Sequence, residues 1–317
     1  MLSRLGRVVG PSLVGGLLLA FSLPPWGWWP LAFVGAAIVY RRLAGLHWRW
    51  RLLAGWAAGL GCFVPGMWWA ASFNWYGAAV LMIVEALSMA LAALAVPPNR
   101  WRVPSVVGAF TLAEALRVSW PFGGVPLGGL FLGQAGGPLL DAARIGGPLL
   151  LTALVWLGGA GLGELACRAA RPLVGTRSQW APRHPGSPEW RSDGRTGRAP
   201  SAATGLACVV LIVAAGVAGL VAPDGGPPVA RRTVALVQGG GRRGVDQFEV
   251  APSTVLAAQV AASRRLLGAT DPPALVVWPE DVVRLGAHLR GTGAAAYLSS
   301  FARRLHATLL AGVTETV

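Results

Sequence analysis

Lysine is absent from this 317-residue chain, and charge of either sign is scarce: 13% of residues are charged, against roughly 25% in a soluble domain. That scarcity excludes an ordinary soluble enzyme. Acidic residues are the rarer sign, 13 against 27 basic residues that are all arginine, for a formal net charge of +14. Such a balance can mark a nucleic-acid partner, but here most of the arginines sit in short clusters between long apolar runs. That is the pattern of membrane orientation, and it gives no reason to expect nucleic acid. Three cysteines, Cys62, Cys167 and Cys208, share no metal or redox spacing, and His47, His184, His288 and His306 form no ligand cluster. Neither a disulfide scaffold nor a metal site is expected, and no cofactor is called for.

What the chain has in abundance is apolar sequence, 54% of its residues. A membrane span needs about 20 apolar residues, and seven windows approach that length: 8–23, 28–40, 52–71, 76–96, 103–116, 145–166 and 205–222. The first has the basic start and apolar run of a signal peptide. Pro24, Pro25 and a tryptophan cluster follow where a small-residue cleavage site should stand, so it is read as a retained helix. Trp26, Trp28 and Trp29 at one boundary and Trp68, Trp69 and Trp75 at another fit an aromatic belt at headgroup depth. Arginines at 4 and 7, then 41–51, then 100 and 102, then 168–198 fall on alternate sides of successive spans. With positive residues inside, the N-terminus is cytoplasmic and everything after residue 222 is outside. Residues 1–168 are thus expected to hold six transmembrane helices, 169–203 a disordered basic cytoplasmic linker, and 204–223 the seventh helix. Within the first group, Glu85 falls in mid-span, where a charge needs a partner, and Glu114 and Arg117 share a helical face.

From residue 229 the pattern changes to alternating strand and helix. A β-branched run covers 233–237, helical spacing covers 252–267 and 294–305, and strands are expected at 275–278 and 308–313. This is the start of an α/β domain, whose active groups lie at strand C-terminal ends. Glu280 directly follows such a strand and the turn residue Pro279. A carboxylate there can act as a general base toward a thiol or hydroxyl. The plain alternative is a strand-end acid facing water, and spacing alone leaves both open.

Leu275-Val-Val-Trp278-Pro279-Glu280, preceded by Val234-Ala-Leu-Val-Gln238-Gly239, resembles the carbon–nitrogen hydrolase (nitrilase) domain of bacterial apolipoprotein N-acyltransferases. The apolar half is similar as well. Leu23-Pro24-Pro25-Trp26-Gly27-Trp28-Trp29-Pro30-Leu31-Ala32 resembles the first extracytoplasmic turn of that family. Glu114-Ala-Leu-Arg117, Phe122-Gly123-Gly124-Val125-Pro126, Pro138-Leu139-Leu140 and Gly146-Gly147 resemble its signature before the sixth helix. Gln238-Gly239-Gly240-Gly241 with Glu280-Asp281-Val282-Val283 is similar to the actinobacterial branch.

The resemblance implies a polytopic α-helical membrane domain of about seven transmembrane helices, followed over 229–317 by the N-terminal part of an extracytoplasmic nitrilase-like α/β domain, in a bacterial plasma membrane. It implies transfer of an acyl chain from a phospholipid donor to the N-terminal diacylglyceryl-cysteine of a lipoprotein, through a cysteine thioester. Glu280 matches the family's general base, and Gln238, Gly239 and Phe248 are candidate first-loop contacts, Phe248 standing in for a tryptophan of better-known members. The family's nucleophilic cysteine and its lysine have no counterpart, since no lysine is present and no cysteine follows Cys208. The expectation is therefore a C-terminally truncated, inactive piece. The alternative is a non-catalytic membrane scaffold that binds lipid or lipoprotein.

Overall fold

The computed structural model describes residues 2–120, 124, 126–169, 201–240 and 250–315. They form two compact units, Met1–Asp224 and Gly225–Val317. The expected linker falls largely within 170–200 and, like Phe248 and Gly241, lies outside the described residues.

The first unit is helical: α1 (Leu2–Ser22), α2 (Pro30–Leu43), α3 (Trp48–Gly66), α4 (Trp75–Leu94), α5 (Arg102–Arg117), α6 (Ala143–Ala169) and α7 (Ala202–Val221). Four stretches are long and apolar enough to cross a membrane: Leu5–Ser22, Trp75–Leu94, Leu140–Ala166 and Ala202–Val221. The other three fall short for identifiable reasons. At 1.5 Å per residue, the 14 residues of α2 and the 16 of α5 reach roughly 21–24 Å, less than the hydrocarbon thickness of about 30 Å. α3 opens on Trp48-Arg49-Trp50-Arg51, which removes a turn from its apolar length.

The window expected to begin at 145 is broken near its start. Gly147 has φ 65°, a left-handed conformation that favours glycine, and Pro148 follows with no amide hydrogen to donate. The straight part of α6 therefore starts at Pro148.

Lipid tails are as apolar as the helices, so the bundle is held by close approach. A Cβ on Gly16 of α1 would stand 1.9 Å from the Ala58 carbonyl oxygen of α3, and one on Gly59 of α3 would stand 2.7 Å from Ala86 of α4. Glycine thus lets α3 seat between α1 and α4. Leu19, Val39, Tyr40, Val106 and Trp156 fill the core. After α5 the Gly- and Pro-rich chain folds back onto the bundle, with Gly133 against Ser22 and with Leu130 and Gln134 buried.

Among the described residues, the buried charges of this unit, Glu85, Glu114, Arg117 and Glu164, are all paired. Arg117 on α5 pairs with Glu85 of α4 at 3.3 Å and with Glu114 at 3.7 Å, and lies over the Phe63 ring. It also donates to the Leu127 carbonyl at 2.5 Å, while Glu114 accepts the Leu130 amide at 3.0 Å.

The second unit contains β1 (Val234–Leu236), α8 (Pro252–Ser263), β2 (Leu275–Val277), β3 (Val283–Leu285), α9 (Gly293–Leu305), β4 (Thr308–Leu310) and β5 (Val313–Glu315). β1, β2 and β4 make a parallel sheet in that order, and β3 pairs with β5 in a second parallel pair. Val276, Trp278, Val282, Phe301 and Leu305 form its core. The strand expected over 308–313 is in fact two. Leu310 accepts the Trp278 amide at 2.8 Å, then Gly312 accepts the Val283 amide at 3.2 Å, so the chain steps from one sheet to the other between them. β3 went unread because only Val282 and Val283 signal it.

Two outcomes follow from this packing. Gly16→Ala should destabilise the bundle by about 1–3 kcal/mol through overpacking, whereas Gly10→Ala, with no atom within 4 Å of the new methyl, should leave the thermal midpoint in detergent unchanged. In the second unit the Glu315 carboxylate accepts the Leu289 amide at 2.7 Å and meets His288 Nδ1 at 2.8 Å. The amide bond, then the His288 contact, hold its pKa below the usual glutamate value. A depressed folded-state pKa stabilises above the unfolded value of about 4.3 and is lost as pH falls through the lower one. The midpoint difference between wild type and Glu315→Gln should therefore be present at pH 6 and close progressively below about pH 4.

Candidate active site

β1 and β2 run parallel with Leu236 opposite Val277. That register carries Gln238, two residues beyond the pair, and Glu280, three beyond it, to the same C-terminal rim of the sheet. Side chains at strand ends, free of the ladder, are the ones an α/β fold offers to a ligand. Gln238 and Glu280 are both exposed there.

Gly239 is held by a residue that sequence reasoning passed over. A Cβ on Gly239 would lie 2.7 Å from the backbone of Gln259, so the first loop passes directly against α8. Gln259 is 2% exposed. Its Oε1 accepts the Gly239 amide and its Nε2 donates to the Val237 carbonyl, both at 2.6 Å. The Ser263 hydroxyl donates to the Gln259 carbonyl at 2.9 Å and accepts from Trp278 Nε1 at 2.9 Å. One continuous chain of hydrogen bonds thus ties the end of β1 to the residue two before Glu280. Val255, Gln259, Val260 and Ser263 share the buried face of α8, and two polar residues in that apolar stripe were the available signal.

The Glu280 turn is fixed from its other side. A Cβ on Gly312 would meet the Pro279 carbonyl oxygen and the Glu280 Cα at 2.7 Å, which leaves only glycine able to pass. Asp281 adopts φ 57°, unusual for a residue other than glycine, and its carboxylate accepts a hydrogen bond from the Thr314 hydroxyl. Residues 225–317 contain neither cysteine nor lysine. Cys62 and Cys208 are buried in the helical unit. Among the described residues no cluster of three or more His, Cys, Asp or Glu side chains could hold a metal ion.

Comparison with known proteins gives one consistent family. Residues 15–161 match the model of the apolipoprotein N-acyltransferase N-terminal domain. A protein of Pseudomonas paraeruginosa named apolipoprotein N-acyltransferase is 32% identical over 168 residues, covering 47% of this chain and 32% of that protein. Proteins of the same name from Azotobacter vinelandii and Caulobacter vibrioides are 29% and 28% identical over 95% and 86% of this chain, and 56% and 50% of their own lengths. The chain thus spans from about a quarter to just over half of the length of the curated relatives it matches. The chain is thus similar to apolipoprotein N-acyltransferases through its helical domain, and the similarity continues through the strand-bearing unit.

Proposed function

We propose that this chain supplies the membrane domain and the base-bearing rim of an enzyme that moves an acyl chain from phospholipid to the N-terminal amine of a diacylglyceryl-cysteine lipoprotein. The observation that carries the reading is Glu280 at the C-terminal end of β2, in a sequence that aligns with N-acyltransferases over 95% of its length. In the first step a thiolate attacks the lipid ester carbonyl, a thioester forms and the lysophospholipid alcohol leaves. In the second the lipoprotein amine attacks the thioester and the thiol is regenerated. Glu280 takes the thiol proton and returns it to the leaving oxygen, then takes the amine proton. Gln238 and Gly239 border the same rim, and Phe248 is assigned to the first loop by sequence position.

Seven spans are proposed, with α2, α3 and α5 completing the four longer ones, the N-terminus inside and residues 229–317 outside. The aromatic residues Trp28, Trp68, Trp75 and Tyr76, all exposed on the first unit, suit headgroup depth. In a background free of native cysteines, Ala44→Cys should resist an impermeant thiol reagent in intact cells, and Ser299→Cys, exposed on α9, should react. Labelling in the reverse pattern overturns the topology.

The 317 residues hold no lysine, and their cysteines all precede the second unit, so neither the thiol nor the ammonium of this chemistry stands beside Glu280 in sequence. Assayed alone with phospholipid and a diacylglyceryl peptide, they should yield no triacylated product. Turnover above the blank would remove Glu280 from the role assigned to it. Expressed with a downstream segment that provides both groups, Glu280→Gln should slow acyl-enzyme formation about 100- to 10,000-fold without reducing the protein in the membrane.

A further inference from the structure

One end of the helical unit carries a charge excess that the acyl-transfer reading does not use. α2, α4 and α6 finish there, and α3, α5 and α7 begin. It bears Arg41, Arg42, Arg49, Arg51, Arg100 and Arg102, and the described residues set a single carboxylate, Glu164, among them. Glu164 is fully engaged. It accepts the Tyr40 hydroxyl at 2.5 Å, Arg102 Nη2 at 3.3 Å and the Ser201 amide at 2.9 Å. The bundle's other polar residues do not repeat the imbalance, since Arg117 and Arg144 face Glu85, Glu114 and Asp141.

Donors outnumber acceptors here as well as charges. The Nε atoms of Arg42, Arg51 and Arg102 are buried and, among the described residues, have no hydrogen-bond acceptor. Buried polar groups almost always find a partner, so three at one end of a bundle mark missing acceptors. Arg102 also lines a small cleft of about 30 Å³ at this end, together with Tyr40, Asn99, Arg100, Glu164 and Thr204. Trp48 and Trp101 stand exposed at the same end, with the Arg49 and Arg100 guanidinium groups 5.2 and 5.5 Å from their rings. Tryptophan and arginine together are the side chains that settle at headgroup depth.

We propose that this end is a docking surface for anionic phospholipid headgroups, with the phosphate of one lipid seated at the cleft and accepting from Arg100 and its neighbouring guanidinium groups. Phosphate oxygens supply what the site lacks, negative charge and several strong acceptors in one planar or bidentate reach of arginine. The surface belongs to the first unit and does not involve Glu280, so it stands whether or not the catalytic reading does.

The test uses the 317-residue chain purified in neutral detergent, with native mass spectrometry reading the occupancy of added phosphatidylglycerol or phosphatidylcholine. Wild type should retain phosphatidylglycerol at least about tenfold better, and 0.5 M NaCl should erase most of the preference. Arg42→Gln with Arg100→Gln should bring that preference close to parity, a loss of about tenfold. Arg231→Gln with Arg232→Gln, which removes equal charge from the second unit, should not. Arg100 is exposed and, among the described residues, makes only a ring contact, so Arg100→Gln alone keeps the test available should the double variant misfold. Equal retention of the two lipids by wild type, or an equal loss in the Arg231/Arg232 control, overturns the proposal.

Discussion

Arg117 holds together parts of the helical unit that hydrophobicity could not. Its side chain is 6% exposed and pairs with two carboxylates, one on α4 and one on its own helix. Removing one partner from a buried pair typically costs about 3–5 kcal/mol, because a charge is left in a medium that cannot solvate it. The same guanidinium donates to Leu127, and Glu114 accepts from Leu130. The Gly- and Pro-rich chain after α5 is therefore fastened to the bundle through its backbone as well as through the buried Leu130 side chain.

α5 shows how far this replaces apolarity. It is too short to meet a spanning criterion, yet Val106 and Phe110 are among the most buried residues of the unit. Its two ends carry Arg102 and Arg117, each in a cluster with glutamate from a neighbouring helix. Fifteen residues separate them in number, roughly 22 Å along the helix axis. A helix pinned by charge at both ends needs less hydrophobic length to stay in register with its neighbours.

How much of this was legible in the sequence depended on the length scale of the signal. Helix-length apolar runs fell on the seven described helices of the first unit, four of them long and apolar enough to cross a membrane, because burying an apolar window tolerates a shift of a few residues. The start of α6 was misplaced because the break lies in the φ of Gly147, which hydropathy does not register. Glu85 called for a partner, but nothing in the spacing named Arg117, 32 positions away. In the second unit the strands are three residues each, too short for alternation to be read. The region expected as one strand over 308–313 splits at Gly312 for a long-range reason, the approach of Pro279 and Glu280. Gln259 was missed on the same ground, as its partners lie about 20 residues back in the chain.

That long-range packing also bears on how a carboxylate on an exposed turn keeps a defined position. Glu280 does not gain it from burial. The turn lies between Trp278, anchored through Ser263 and Gln259, and Asp281, anchored to Thr314. Glycine stands at both contacts where loop backbone meets backbone, Gly239 on Gln259 and Gly312 on Glu280. Rim geometry set by main-chain contacts is insensitive to side-chain rotamers, so the carboxylate stays exposed while its Cα is fixed, as the proposed attack on a lipid ester would need. Preorganised placement of this kind supplies much of what a positioned base contributes.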